Sequence, residues 1–239
     1  MEPEQTVQVE SVKPMSAITG VLKVLFQPRE VFNCLKVQSN WILPFIIVLI
    51  VIGVVIYLRF PLDLLDLPER LGKIPGLSEE QKAMIIEQAP NGIVRSVALG
   101  SVFGMLFLFV VAAVYFFVAN IFLGGVGKFS KMLSIVGLSW MVILPQYLVK
   151  LPPMLAKKTI EIQTDLSLFL SSSLEDSFLY NLFSQIDVFS FWKVFLIGTG
   201  MAIVYNFTFR KALVSSLAVW GIFILVISMF SSFIKLGMG

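Results

Sequence analysis

Thirteen consecutive residues, Phe45 to Tyr57, carry no charge, and this run constrains the chain more than any other feature. Extended outward to Trp41 and Leu58 it is 18 residues, about 27 Å of α-helix at 1.5 Å per residue, enough to cross a hydrocarbon core. Inside hydrocarbon every backbone N–H and C=O needs an internal partner, so a lone apolar run of this length is read as a helix. Trp41 and Tyr57 bracket it, as amphipathic rings do at the two membrane–water boundaries.

The same reasoning places four more spans, at 96–123, 132–149, 189–209 and 212–234. The second is the longest: 28 residues would extend about 42 Å, so it must tilt or protrude. Only 14% of the chain is charged and the mean hydropathy is +0.90, against about 25% charge in soluble domains. The predicted fold class is therefore all-α: a polytopic membrane protein with five transmembrane helices.

Before the first span the sequence is amphipathic. Residues 1–14 are polar and read as a flexible tail, and residues 15–239 as a single membrane domain. Ile18, Val21, Leu22 and Leu25 recur at helical spacing opposite Thr19 and Lys23. After Pro28, Val31, Phe32 and Leu35 make a second stripe beside Arg29, Glu30 and Lys36. Such cytosolic helices either lie in the membrane plane, basic residues toward headgroups, or pack on the ends of the spans. Sequence alone leaves both open.

Two long connections are predicted, 59–95 and 150–191. Pro61, Pro68, Pro75 and Pro90 punctuate the first, and Ser78-Glu-Glu-Gln81 has capping-box spacing, predicting a short helix over 79–89. The second opens on Pro152-Pro153 and contains an interrupted amphipathic pattern, read as a helix on the outer surface. The Gly124-Gly-Val-Gly-Lys-Phe-Ser130 stretch lacks the spacing of a phosphate loop and reads as a turn. Gly100 and Gly104 in span two, and Gly198 and Gly200 in span four, are small residues that let a neighbouring helix approach closely.

Charge gives an orientation. With the amino terminus in the cytosol, the segments 1–40, 124–131 and 210–211 hold eight basic residues and four acids. The opposite side then holds ten basic and eleven acidic residues over a longer stretch. Lys and Arg in short loops mark the cytosolic side, so the amino terminus is expected inside and the carboxyl terminus outside.

The chemistry is sparse. The chain has no histidine and one cysteine, Cys34, which removes the commonest general base and any internal disulfide. No charged residue falls in the core of a span as drawn, which argues against a proton or ion pathway; Lys193 lies near the start of span four and can snorkel to the boundary. Asn120 and Asn206 sit near the cytosolic ends of their spans, where their amides either bond each other or face water. No catalytic residue, cofactor or metal is expected, and no nucleic-acid partner.

Two stretches carry a resemblance: Phe26-Gln-Pro-Arg-Glu-Val-Phe32 followed by Trp41-Ile-Leu-Pro44, and Phe191-Trp-Lys-Val-Phe195 with Arg210-Lys-Ala-Leu213. The pattern resembles the Yip (Ypt-interacting protein) domain family over nearly the whole chain. The resemblance implies five transmembrane helices with a cytosolic amino terminus. Eukaryotic members bind Rab-type GTPases through a longer cytosolic region, which this chain lacks, so it is similar rather to prokaryotic-type members in the cell membrane. The expected function is a non-enzymatic scaffold or accessory subunit for a membrane partner, with lipids and another membrane protein or a second copy as partners. The alternative is a transporter or channel for a neutral or apolar solute. Phe32, Trp41, Gly100, Gly104, Asn120, Gly198, Gly200 and Asn206 are the candidate packing or partner contacts.

Overall fold

The computed structural model describes residues 15–37, 39–72, 74, 76–160, 162–171, 174 and 177–237. The polar tail read at 1–14 lies outside the described residues. The rest is helical: α1 (Ala17–Lys23), α2 (Pro28–Val37), α3 (Ile42–Gly72), α4 (Glu79–Gln88), α5 (Ile93–Phe117), α6 (Phe129–Ser139), α7 (Ile143–Lys157), α8 (Phe178–Phe183), α9 (Val188–Val204) and α10 (Phe209–Gly237). No strand occurs among the described residues. Four continuous helical stretches are long and apolar enough to cross a membrane, and α9, at 17 residues, is a shorter apolar helix. The chain is a polytopic membrane protein.

Several helices outrun their sequence reading. The first span does not stop at Leu58, because α3 continues to Gly72 through Pro61 and Pro68. Each proline removes one i→i−4 bond. The helix survives because Leu62 and Leu71 stay buried and because Asp63 is held at 3.5 Å by both Arg59, one turn back, and Arg70. Asp63 is thus an ion-pair partner of both arginines.

The capping box forms. Ser78 Oγ accepts from the Gln81 amide at 3.2 Å and Gln81 Oε1 accepts from the Ser78 amide at 3.0 Å. Pro90 does not end the helical path. A 3-10 turn, Ala89–Gly92, passes α4 into α5, and a π-helical turn, Val118–Phe122, extends α5. Glu79–Phe122 is therefore one helical path of 44 residues. Ser78→Ala is expected to destabilise the first turn of α4 by about 0.5–2 kcal/mol, read as faster amide exchange over residues 79–83.

The third span covers 129–157 rather than 132–149 and is broken by a 3-10 turn at Trp140–Val142. Pro145 explains the place: it lacks the amide that would bond Met141 O, and its ring crowds that carbonyl. Residues Met132–Ser139 of α6 are all buried, which puts this helix at the centre of the bundle.

The fourth span ends at Val204, not at 209. Asn206 takes the left-handed conformation, φ 55°, a common way to stop a helix. Thr208 then precedes α10, its carbonyl accepting from the Ala212 amide at 3.1 Å. Arg210 and Lys211, read as the linker, lie in the first turn of α10. The connection 158–187 is mostly irregular, with a 3-10 turn at Leu166–Phe169 and α8. Asn181 of α8 donates to Ser232 Oγ of α10 at 3.1 Å, so this part rests on the bundle.

The core runs through α2, α3, α5, α6 and α9. It settles what sequence left open about α2: Val31, Phe32 and Leu35 are buried, against α9 and α6. Burying such side chains is worth about 1.5–3 kcal/mol each relative to exposure to water. α1 is less committed. Val21 and Val24 are buried, whereas Ile18, Leu22 and Phe26 face outward.

Candidate functional site: a basic face at one end of the bundle

Three segments distant in sequence meet at one end: α2, the 123–128 loop and the 205–208 turn. Each is held by a lysine reaching across. Lys36 Nζ donates to Asn206 Oδ1 at 3.2 Å. Lys131 Nζ donates to the carbonyl of Lys36 at 2.9 Å, and Lys211 Nζ to that of Leu123 at 2.9 Å. Lys211 also lies 4.9 Å from the centre of the Phe207 ring, which stacks on Tyr205. Single exposed bonds of this kind contribute about 0.5–1.5 kcal/mol, but three together fix three segments relative to one another.

Asn120 and Asn206 do not bond each other. Asn120 donates to Phe116 O and accepts from the Gly127 amide, both at 2.9 Å. It thereby folds the glycine loop back onto the end of α5. Asn206 is taken by Lys36. The Gly125 amide is occupied too, donating to Ala119 O at 2.9 Å. Amides already engaged with the protein cannot cradle a phosphate. Gly124 stands at φ 67°, where a side chain is strained, and a β-carbon on Gly127 would overlap the Tyr205 ring.

Trp41 stands just before α3 and packs edge-on against Phe45, at 5.6 Å, and Phe109, at 5.8 Å. Phe32 is fully buried. The glycines sit where helices touch. A β-carbon on Gly100 would overlap Ile56 Cδ1, and one on Gly104 would come within 2.9 Å of Ile52 Cδ1, so both serve the α3–α5 contact. Gly198 admits the Leu213 backbone, whose Cα would lie 3.0 Å from a β-carbon at 198. Gly200 admits Ile135 of α6 and Phe32 of α2.

The eight candidate positions thus divide in two. Asn120 and Asn206 belong to the basic face; Phe32, Trp41 and the four glycines hold the helices beneath it. What projects from the face is cationic with an apolar tip. Lys128 and Arg210 are exposed and Val126 is 98% exposed; Phe26 and Arg29 lie instead beside Trp192, Phe195 and Phe209. Sequence reasoning missed Val126 and the lysine cross-links. Val126 had a signal, an apolar residue inside a Gly-rich turn; the cross-links had none.

A second polar group lies toward the other end. Lys193 of α9 does not simply snorkel outward: its Nζ lies 5.3 Å from the centre of the Trp140 ring. Beside it Lys150 and Asp187 pair at 3.6 Å. Among the described residues no group of three or more His, Cys, Asp or Glu is arranged to hold a metal.

No curated protein and no solved structure matches the chain at a significant level. A family model described as the Yip1 domain matches residues 22–230. The match begins inside α1 and ends inside α10, taking in every helix of the bundle and both halves of the basic face. The chain belongs to the Yip1 domain family of membrane proteins.

Proposed function

We propose that this protein is a non-catalytic membrane scaffold that holds another membrane protein against its basic face. The observation that carries the reading is the cross-linking of α2, the glycine loop and the α9–α10 turn by Lys36, Lys131 and Lys211. A surface fixed in this way presents its charges without first paying to order them, which favours recognition of a partner with an acidic surface. The exposed Val126 of its glycine loop supplies the apolar tip that such contacts bury.

On this reading the face is cytosolic and the amino terminus lies on the same side. The basic residues of all three segments collect at one end, as the positive-inside rule requires of short loops. A solute path along the glycines of α5 and α9 has less behind it, because Gly104 lies against Ile52 and Gly200 against Ile135 and Phe32.

The test places a photoreactive phenylalanine at Val126 and irradiates native membranes. One defined protein adduct is expected, either a different membrane protein or a second copy, and Lys128→Glu with Arg210→Glu should weaken it about tenfold, equivalent to about 1.4 kcal/mol. Adducts to lipid alone would overturn the proposal. So would labelling of Val126→Cys, in a Cys34→Ser background, by a membrane-impermeant thiol reagent added outside intact cells.

A further inference from the structure

Away from the basic face, a groove of about 390 Å³ opens between α5, α9 and α10. Its walls are apolar: Val110 and Val114 from α5, Ile197 from α9, Phe223 and Val226 from α10. Val110, Val114 and Val226 are also exposed on the outside of the bundle, so the groove is continuous with the surface that faces lipid. From Phe107 to Tyr115 along α5 it runs eight residues, about 12 Å. A slot of this length with walls this apolar admits a stretch of extended hydrocarbon chain.

The two ends differ. At one, Tyr115 Oη donates to Ser216 O at 3.2 Å and Ser216 Oγ to Val194 O at 3.0 Å, tying α5, α10 and α9 together. At the other stand Ser190 and Gln185, and the Lys193 side chain reaches toward it to lie beside Trp140. Two carboxylates lie at this end, Asp187 and Asp165, which is paired with it in an antiparallel bridge; Asp165 Oδ1 accepts from the Ser167 amide at 3.1 Å, and Asp187 is engaged as well. Its Oδ2 pairs with Lys150 at 3.6 Å, and its Oδ1 accepts from the Ser190 amide at 2.6 Å. Lys193 Nζ therefore has the Trp140 ring beside it and no described carboxylate at ion-pair distance. Lys193 is thus a cation beside an aromatic ring at the mouth of an apolar slot, with the carboxylates of this end engaged elsewhere.

We propose that the groove between α5, α9 and α10 binds an anionic phospholipid, one acyl chain lying in the slot and the phosphate seated on Lys193. The charge at the mouth selects the headgroup, because a cation held against low-dielectric walls gains more from a phosphate than the same cation in water. The apolar length below it takes the chain. This site is independent of the basic face and of what binds there.

The full-length protein is reconstituted in vesicles of phosphatidylcholine with a minor fraction of phosphatidylglycerol carrying a photoreactive acyl chain. Label is expected on residues 107–115 and 219–226. Lys193→Gln should reduce it about tenfold, equivalent to about 1.4 kcal/mol, and Lys193→Arg should keep it. Val114→Trp, which fills the slot from its exposed side, should also abolish label without lowering the melting temperature. Unlabelled phosphatidylglycerol should compete and phosphatidylcholine should not. Equal labelling in the Lys193→Gln and Val114→Trp proteins would overturn the proposal, as would equal competition by phosphatidylcholine. A photoreactive phenylalanine at Val114 should give lipid adducts; an adduct to another protein chain there would show a different occupant and also overturn it.

Discussion

Phe32→Ala is expected to lower stability by about 3–5 kcal/mol and to release α2 from the bundle. Phe32 is completely buried and reaches between α9 and α6: its Cε1 lies 3.2 Å from where a Gly200 β-carbon would stand. Removing the ring leaves a void whose far walls belong to helices fixed by the bilayer. Those walls cannot close in, and the cost of a large-to-small change grows with the cavity that remains. Val31, Leu35 and the Lys36 and Lys131 hydrogen bonds then hold α2. Unfolding in mixed micelles should show the loss, and protease should cut the 15–40 region sooner. A loss below about 1 kcal/mol would mean that α2 is not docked where the structure puts it.

Gly200→Val tests the same junction from the other side. A β-carbon there would meet Ile135 Cγ2 at 2.6 Å and Phe32 Cε1 at 3.2 Å. Both neighbours are fully buried, so neither swings away freely, and overpacking of this kind costs about 1–3 kcal/mol or more. The two substitutions should not add. Phe32→Ala removes one of the two clashes, so the double variant should be less destabilised than the sum of the singles by more than about 0.5 kcal/mol. Gly221→Ala is the control: nothing lies within 4 Å of its β-carbon position, and alanine there should be neutral or stabilising by up to about 1 kcal/mol. Equal losses at 200 and 221 would refute the packing described.

What sequence shows of this fold is what the bilayer imposes. Runs such as Phe45–Tyr57 declare themselves by length and lack of charge, and Ser78 with Gln81 declares a helix start through purely local hydrogen bonds. Helix ends were less legible. Pro61 and Pro68 read as stops, yet α3 carries through both because Asp63 and its two arginines support the helix from outside the proline positions. The stop that did occur, at Asn206, lay hidden in a run of apolar residues. Periodicity marked Phe32 and spacing marked Gly200, but nothing local says that they meet, since 168 positions separate them. The apolar groove was invisible for the same reason: its lining comes from three separate helices, and Lys193 looks like any boundary lysine until Trp140 arrives beside it from a different span.

The hairpin of α9 and α10 bears on how the chain is made. At 17 residues α9 spans about 26 Å, short of a hydrocarbon core of about 30 Å, and it carries a lysine. Four residues, 205–208, join it to α10, and Leu213 lies directly against Gly198. A helix this short and so tied to its successor is expected to insert only together with α10, as one unit. Lengthening the 205–208 turn should separate the two insertion events and leave α9 stranded at the headgroups.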